Sequence, residues 1–340
     1  MILSCLFLPG KLVDRMKVFI KEYLGVTVSD EYLFILQKQN VTISMDNSWP
    51  VRIPFRDRLG SNNRQIGFNI LALLIIPVIV TLVEFLSTNN ANFRDMLKLD
   101  ISHSTLLQYF SSPFVHEDFN HFSNDLIGYL IIVGFTLLLA LILNRVRLFS
   151  ILLLLLSFSF GIISSVVRVL LYPSLGLGGK SCGLSGIDAV LLGLMAVFML
   201  MYLAAIMNQN YYSLLNMTPV ILVFLAYLLL IEYEMAVNLP LSQVSIAIIL
   251  LTALLIFYIF LIRDTLTHLI RYFSHFTKKK IFDVILLVLF VIIFVISFFA
   301  FFPTSVRTET GIVDIFMHIF GITFGLYVPS FIIPKLSASD

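Results

Sequence analysis

Cysteine is nearly absent from this 340-residue chain: only Cys5 and Cys182 are present, which excludes a disulfide framework and a thiolate metal site. Charge is scarce too. Asp, Glu, Lys and Arg make up 12% of the residues, where a soluble domain carries about 25%. The net charge of +2 excludes the broad basic surface that a nucleic-acid partner requires. Tryptophan occurs once, at Trp49. What fills the chain instead is apolar: 59% hydrophobic residues and a mean hydropathy of +0.99, the composition of a protein whose solvent is a lipid bilayer.

The first apolar run, Ile2 to Leu8, has no basic stretch before it and is followed by Lys11, Arg15 and Lys17, so it does not read as a cleavable signal. Residues 1–66 are mixed and basic, with a helical pattern at Leu12 to Tyr23 and possible strands at Tyr32 to Leu36 and Val41 to Ser44. They read as a small cytoplasmic region or as a segment lying on anionic lipid. Beyond Ile66, runs long enough to cross about 30 Å of hydrocarbon recur, predicting an all-α polytopic membrane protein with about eight spans over residues 67–334 and a short tail at 335–340. The spans fall at Gly67 to Leu86, Asp125 to Leu143, Leu148 to Leu171, Ser185 to Met207, Met217 to Met235, Val244 to Ile262, Ile281 to Phe302 and Ile312 to Ile333. Arginines 52, 56, 58 and 64 precede the first span, Arg145 and Arg147 join the second and third, and Arg263, Arg271 and Lys278 to Lys280 join the sixth and seventh. The positive-inside rule then puts both termini in the cytoplasm.

Three polar segments interrupt this pattern, all on the extracytoplasmic side. Gly183-Leu184-Ser185-Gly186 follows a loop containing Gly176, Gly178 and Gly179 and opens the fourth span. A serine at a helix start has unpartnered backbone N–H groups beside it, which suits an oxyanion formed in acyl transfer and equally suits simple capping. His318 lies about six residues, roughly 9 Å, into the eighth span. A titratable group in an apolar helix calls for a function. Gly321 and Gly325 share a face with His318, and the fourth span offers Gly186, Ala189, Gly193 and Ala196 at three- to four-residue spacing. Two such strips allow close approach, bringing a Ser185–His318 dyad within reach. The third segment, Phe114 to Tyr129, carries His121, Asn124 and Asp125 at positions i, i+3 and i+4, able either to serve an oxyanion or to cap a helix. His116 and His121 are five residues apart, about 140° around a helix, which argues against a zinc helix.

Together these segments, from about Phe110 to Gly325, resemble the rhomboid family of intramembrane serine proteases. The resemblance implies a rhomboid-like helical bundle in the cell membrane, with the active site toward the extracytoplasmic face. It makes Ser185 the nucleophile, His318 the general base and His121 an oxyanion donor, with Asn124, Asp125 and Gly183 supporting and Gly186, Gly321 and Gly325 packing the helices. No metal and no cofactor is expected. The implied substrates are transmembrane segments of other proteins, cut near one end where small residues let the helix unwind. The sequence carries no signal for an oligomeric state.

This chain departs from the family pattern in four places. Asp125 stands where the family has asparagine, Phe93-Arg94 replaces a Trp-Arg pair in the first outer loop, Ala189 replaces an aromatic four residues after the serine, and three spans rather than one separate Ser185 from His318. A carboxylate about 4 Å from an oxyanion opposes it by roughly 4 kcal/mol at an effective dielectric of 20. The expectation is therefore that Asp125 is protonated or turned away, leaving His121 and Asn124 as donors. Asp188 and Asp314 read as helix-end or water-facing carboxylates, or as groups orienting the imidazole. The competing class is a rhomboid-like protein that binds transmembrane segments without cutting them; a transporter fits less well, because no inverted repeat is evident.

Overall fold

The computed structural model describes residues 63–88, 90–175, 178–207, 209, 214, 217–223, 226, 241–274, 278–301, 307–308, 311–312 and 315–337. The expected helix and strands before residue 50, Trp49, most of the fifth expected span, and Asp314 lie outside them. The described residues form two compact units, one made of 63–202 with 284–337, the other drawn from 203–283.

The first unit opens with α1 (Asn63–Thr88), whose Pro77 lies within the helix. A connecting segment follows, containing α2 (Ala91–Leu97), β1 (Leu99–Asp100), α3 (Leu106–Ser111) and a 3-10 turn (Ser112–Phe114). The Asn90 side chain caps α2 by accepting from the Phe93 N–H at 2.9 Å. The long helix α4 (Phe119–Ile142) starts six residues before the expected second span, because the Asp118 carboxylate caps it by accepting from the His121 N–H at 2.8 Å. A tight turn with Asn144 at φ 55° leads into α5 (Val146–Leu171). After β2 (Lys180–Ser181) comes α6 (Ser185–Ile206), which begins at the residue expected and runs past Tyr202.

Between the two parts of this unit the chain carries α7 (Leu241–Leu261) and α8 (Arg263–Ser274), bent by 71° relative to one another, and α9 (Lys278–Phe301) re-enters the unit at residue 284. A short ribbon, β3 (Arg307–Thr308) antiparallel to β4 (Gly311–Ile312), precedes α10 (Ile315–Ser337). The helix α10 continues three residues past the expected end of the membrane domain at 334.

Among the described residues five helices are long and apolar enough to cross a membrane, and six if the bent pair counts as one. The protein is an all-α, multi-pass membrane protein. In the first unit α6 is the most buried of the candidate spans, and α5 packs against α1, α3, α4 and α10. The inner face of α5 is buried through Phe149, Leu153, Leu156 and Phe160, all at 0% exposure. Leu71, Val78 and Phe85 on α1, by contrast, are 60%, 60% and 76% exposed. In lipid such a surface is the ordinary solvent-facing side.

The segment between α1 and α4 is pinned to the residues ahead of α6. Strand β1 pairs antiparallel with β2, Leu99 opposite Ser181 and Asp100 opposite Lys180, and the Ile101 N–H donates to the Gly179 carbonyl at 3.1 Å. Charged side chains reinforce the tie. Lys98 Nζ lies 2.7 Å from Glu117 Oε2, Arg94 donates to the Glu117 carbonyl at 2.6 Å and pairs with Glu84 at 3.6 Å, and Lys180 meets Asp95 at 3.1 Å. Arg94 thus anchors the loop without a neighbouring tryptophan.

Candidate active site

The close approach expected of the two glycine strips is present. A Cβ on Gly321 would lie 2.9 Å from the Gly186 carbonyl oxygen and 3.0 Å from the Ala189 Cβ. A Cβ on Gly325 would fall on the Val190 carbonyl oxygen, and one on Gly193 would fall on that of Ile322. The contacts advance along both chains together, 186 with 321 and 190 with 325, so α6 and α10 run parallel. Ser185 opens α6 and His318 is the fourth residue of α10, so both occupy first turns of neighbouring parallel helices. The helix starts at Ile315, not Ile312, so His318 sits only about 4.5 Å along it. It is buried, at 4% exposure, and Ser185 is half-buried. Phe160 of α5 closes the junction, its ring 3.3 Å from the Gly321 Cβ position and packed at 5.5 Å on both Phe320 and Phe324. Ala189 explains itself here: a larger side chain would occupy the space that Gly321 leaves open.

Gly183 has φ +120°, the left-handed region that favours glycine, and a Cβ there would lie 3.1 Å from His121 Cε1. Its own N–H donates to the Ser112 carbonyl at 3.1 Å, so Gly183 shapes the turn and is not a donor to a reacting group. The donors beside the serine are the N–H groups of Leu184 and Ser185.

Those two donors are occupied. Both point at Asp125 Oδ2, at 3.0 and 3.1 Å. The same oxygen lies 3.3 Å from His116 Nε2 and 3.4 Å from His121 Nε2. Asp125 is buried, His116 is fully buried, and the two imidazoles meet edge-on with centroids 5.3 Å apart. Of the two arrangements expected of Asp125, protonated or turned away, the second is corrected: the positive end of α6 draws its side chain in as a cap supplied by another helix. Asn124 is exposed and is not brought to Ser185. Residues 124 and 125 differ by 100° on a helix, so only the i+4 partner of His121 faces inward.

His116 is the site residue that spacing alone misplaces. The 140° argument assumes one helix through both histidines, but α4 begins at Phe119 and His116 precedes its cap, so the two rings converge. They converge on a carboxylate oxygen; among the described residues no three His, Cys, Asp or Glu side chains are arranged to hold a metal. Asp188, expected at a helix end or facing water, does lie in the first turn of α6 but does not face water: it is 0% exposed, and neither of its carboxylate oxygens has a hydrogen-bond partner among the described residues. Nor does the buried hydroxyl of Tyr129, one turn below Asp125. Arg168 of α5, also unsuspected from sequence, is buried at 8% exposure within 4.0 Å of the Gly186 Cβ position.

Cys182 is not a rival nucleophile. Burial, and then the Glu117 carboxylate beside it, push its thiol up to about 12, so it stays protonated. In a Cys5→Ser protein, maleimide should react with Cys182 at pH 8 roughly a thousandfold more slowly than with an exposed cysteine. Comparable rates would show a thiolate that this environment does not allow.

No family model, no curated protein and no solved structure matches this chain. The fold and the site therefore stand on their own geometry.

Proposed function

We propose that the protein is an intramembrane serine protease of the rhomboid type, in which Ser185 attacks a peptide bond of a substrate's transmembrane segment and His318 takes the hydroxyl proton. The observation that carries this reading is the parallel contact of α6 and α10 through Gly186, Ala189, Gly193, Gly321 and Gly325, with serine and histidine in the adjoining first turns. Small residues at such a crossing are what a dyad on two helices needs, because a single added methyl group would separate them. In the proposed mechanism His318 later returns the proton to the leaving amine, and water then resolves the acyl-serine. Backbone N–H groups of Leu184 and Ser185 stabilise the tetrahedral oxyanion, and His121 lies beside them.

Parity supports eight crossings with both termini cytoplasmic. Parallel α6 and α10 require an odd number of crossings between them. Reading α7 and α9 as one crossing each leaves a third to be assigned, and we assign it to the apolar run at Met217 to Met235. The basic residues preceding α1, between α4 and α5, and between α7 and α9 then share the cytoplasmic side.

The Asp125 contact favours a second reading, a protein that grips transmembrane segments without cutting them, because the oxyanion donors are already engaged. Reconstitution separates the two. In proteoliposomes holding the full chain and a single-span test protein with a Gly-Ala stretch at its outer end, the protease reading predicts two fragments, and none with Ser185→Ala. Tight association without fragments from a panel of such spans would instead support the binding reading.

A further inference from the structure

We propose that Asp125 sets the catalytic competence of this site by standing in the oxyanion's place, so that each turnover begins with displacement of its carboxylate. The inference rests on the protease reading above. It starts from the crowding around one atom: Asp125 Oδ2 accepts from the Leu184 N–H at 3.0 Å and the Ser185 N–H at 3.1 Å, with His116 Nε2 at 3.3 Å and His121 Nε2 at 3.4 Å. If Ser185 is the nucleophile, its own N–H and that of its neighbour are the groups that meet the oxygen of a tetrahedral intermediate. That oxygen and Oδ2 are both acceptors for the same two N–H groups, and two such atoms cannot occupy one position.

The carboxylate is well held. It sits at the positive end of the 22-residue helix α6, held by the two backbone N–H groups, with two imidazole edges close by, of which His116 Nε2 has no hydrogen-bond partner among the described residues. Another carboxyl group, Asp188, lies one turn further along α6 and is fully buried. Asp125 is four residues after His121 on α4, so a change of its side-chain rotamer frees the donors without moving a helix, leaving His121 in place beside Ser185. A substrate carbonyl reaching Ser185 would exchange places with it.

A purely structural reading is available, in which Asp125 only caps α6. The two differ in sign. Removing a cap lowers stability and, with it, activity; removing an occupant lowers stability while raising reactivity. Asp125→Asn replaces the anion by a neutral amide that accepts weakly and can also donate, and Asp125→Ala empties the position.

The test is the rate of covalent labelling of the full-length, detergent-solubilised protein by a fluorophosphonate, whose phosphoryl oxygen needs the same donors. Both variants should label roughly 100-fold faster than the wild type, the scale set by oxyanion donors elsewhere, with lower thermal midpoints and no labelling once Ser185→Ala is added. Labelling of the variants alone also supports the proposal and makes the wild type a resting form. Wild-type labelling at Ser185 with both variants equal or slower would overturn the proposal and leave the protease reading intact. No labelling of any of the three would overturn both.

Discussion

Gly325→Ala should abolish cleavage and cost about 3 kcal/mol of stability or more, although it adds one methyl group. The reason is what the methyl would meet. Its position falls on the Val190 carbonyl oxygen, with the Val190 carbonyl carbon at 2.8 Å and Cα at 3.1 Å. These are backbone atoms of α6, which cannot rotate aside as a side chain would, so the helices themselves must separate. Separation at this point moves His318, two turns earlier on α10, away from Ser185. Gly321→Leu should act in the same way, against the Gly186 carbonyl oxygen and Ala189. Gly134→Ala on α4 is the matched control, because nothing lies within 4 Å of its Cβ position; helix propensity alone predicts a gain of up to about 1 kcal/mol there. Cleavage in proteoliposomes and thermal unfolding in detergent measure both effects. An active Gly325→Ala protein with an unchanged midpoint would show that the helices do not pack this closely.

Ser185→Ala and His318→Ala should each reduce cleavage by roughly 10⁴- to 10⁶-fold, and the double variant should be no worse than either single one. A hydroxyl is a poor nucleophile until a base takes its proton, so the two side chains act as one unit and the loss of either removes the whole effect. Both variants should insert like the parent, since neither residue contributes to the glycine contacts, and only His318→Ala, which empties a buried position, should lower the unfolding midpoint. A double variant much slower than the singles, with residual cleavage in each single above background, would mean that serine and histidine act independently.

The helix contact was legible in the sequence because it depends on spacing alone: small residues three and four apart form a strip whatever the rest of the fold does. The same logic located the start of α6, where a glycine-rich loop gives way to a continuous apolar run. It failed where tertiary electrostatics decide. The pattern places His121, Asn124 and Asp125 on one side of a helix but does not say which of the two later residues turns inward. That choice is made by the uncapped N-terminus of α6, sixty residues away in sequence, which draws a carboxylate more strongly than an amide. His116 was misplaced for a local reason: the Asp118 cap starts the helix at Phe119, three residues after it, so helical angles do not apply to it. Asp188 was read as water-facing because it lies in a first turn, yet the whole of that turn beyond Ser185 is buried in the bundle. The proposed cytoplasmic placement of both termini rests on arginine and lysine counting; a cysteine placed at Ser274 or Ser337 should stay unlabelled by an impermeant reagent outside sealed cells, and labelling there would overturn it.

The central claim is that Ser185 is a nucleophile activated by His318. Fluorophosphonate labelling followed by peptide mapping tests it without a known substrate, using the wild type and, because Asp125 guards the oxyanion donors, Asp125→Asn alongside. The account predicts a single phosphonyl group on Ser185, absent after His318→Ala in either background. A protein that remains unlabelled in both backgrounds, or one labelled at another residue with Ser185 unmodified, would contradict it.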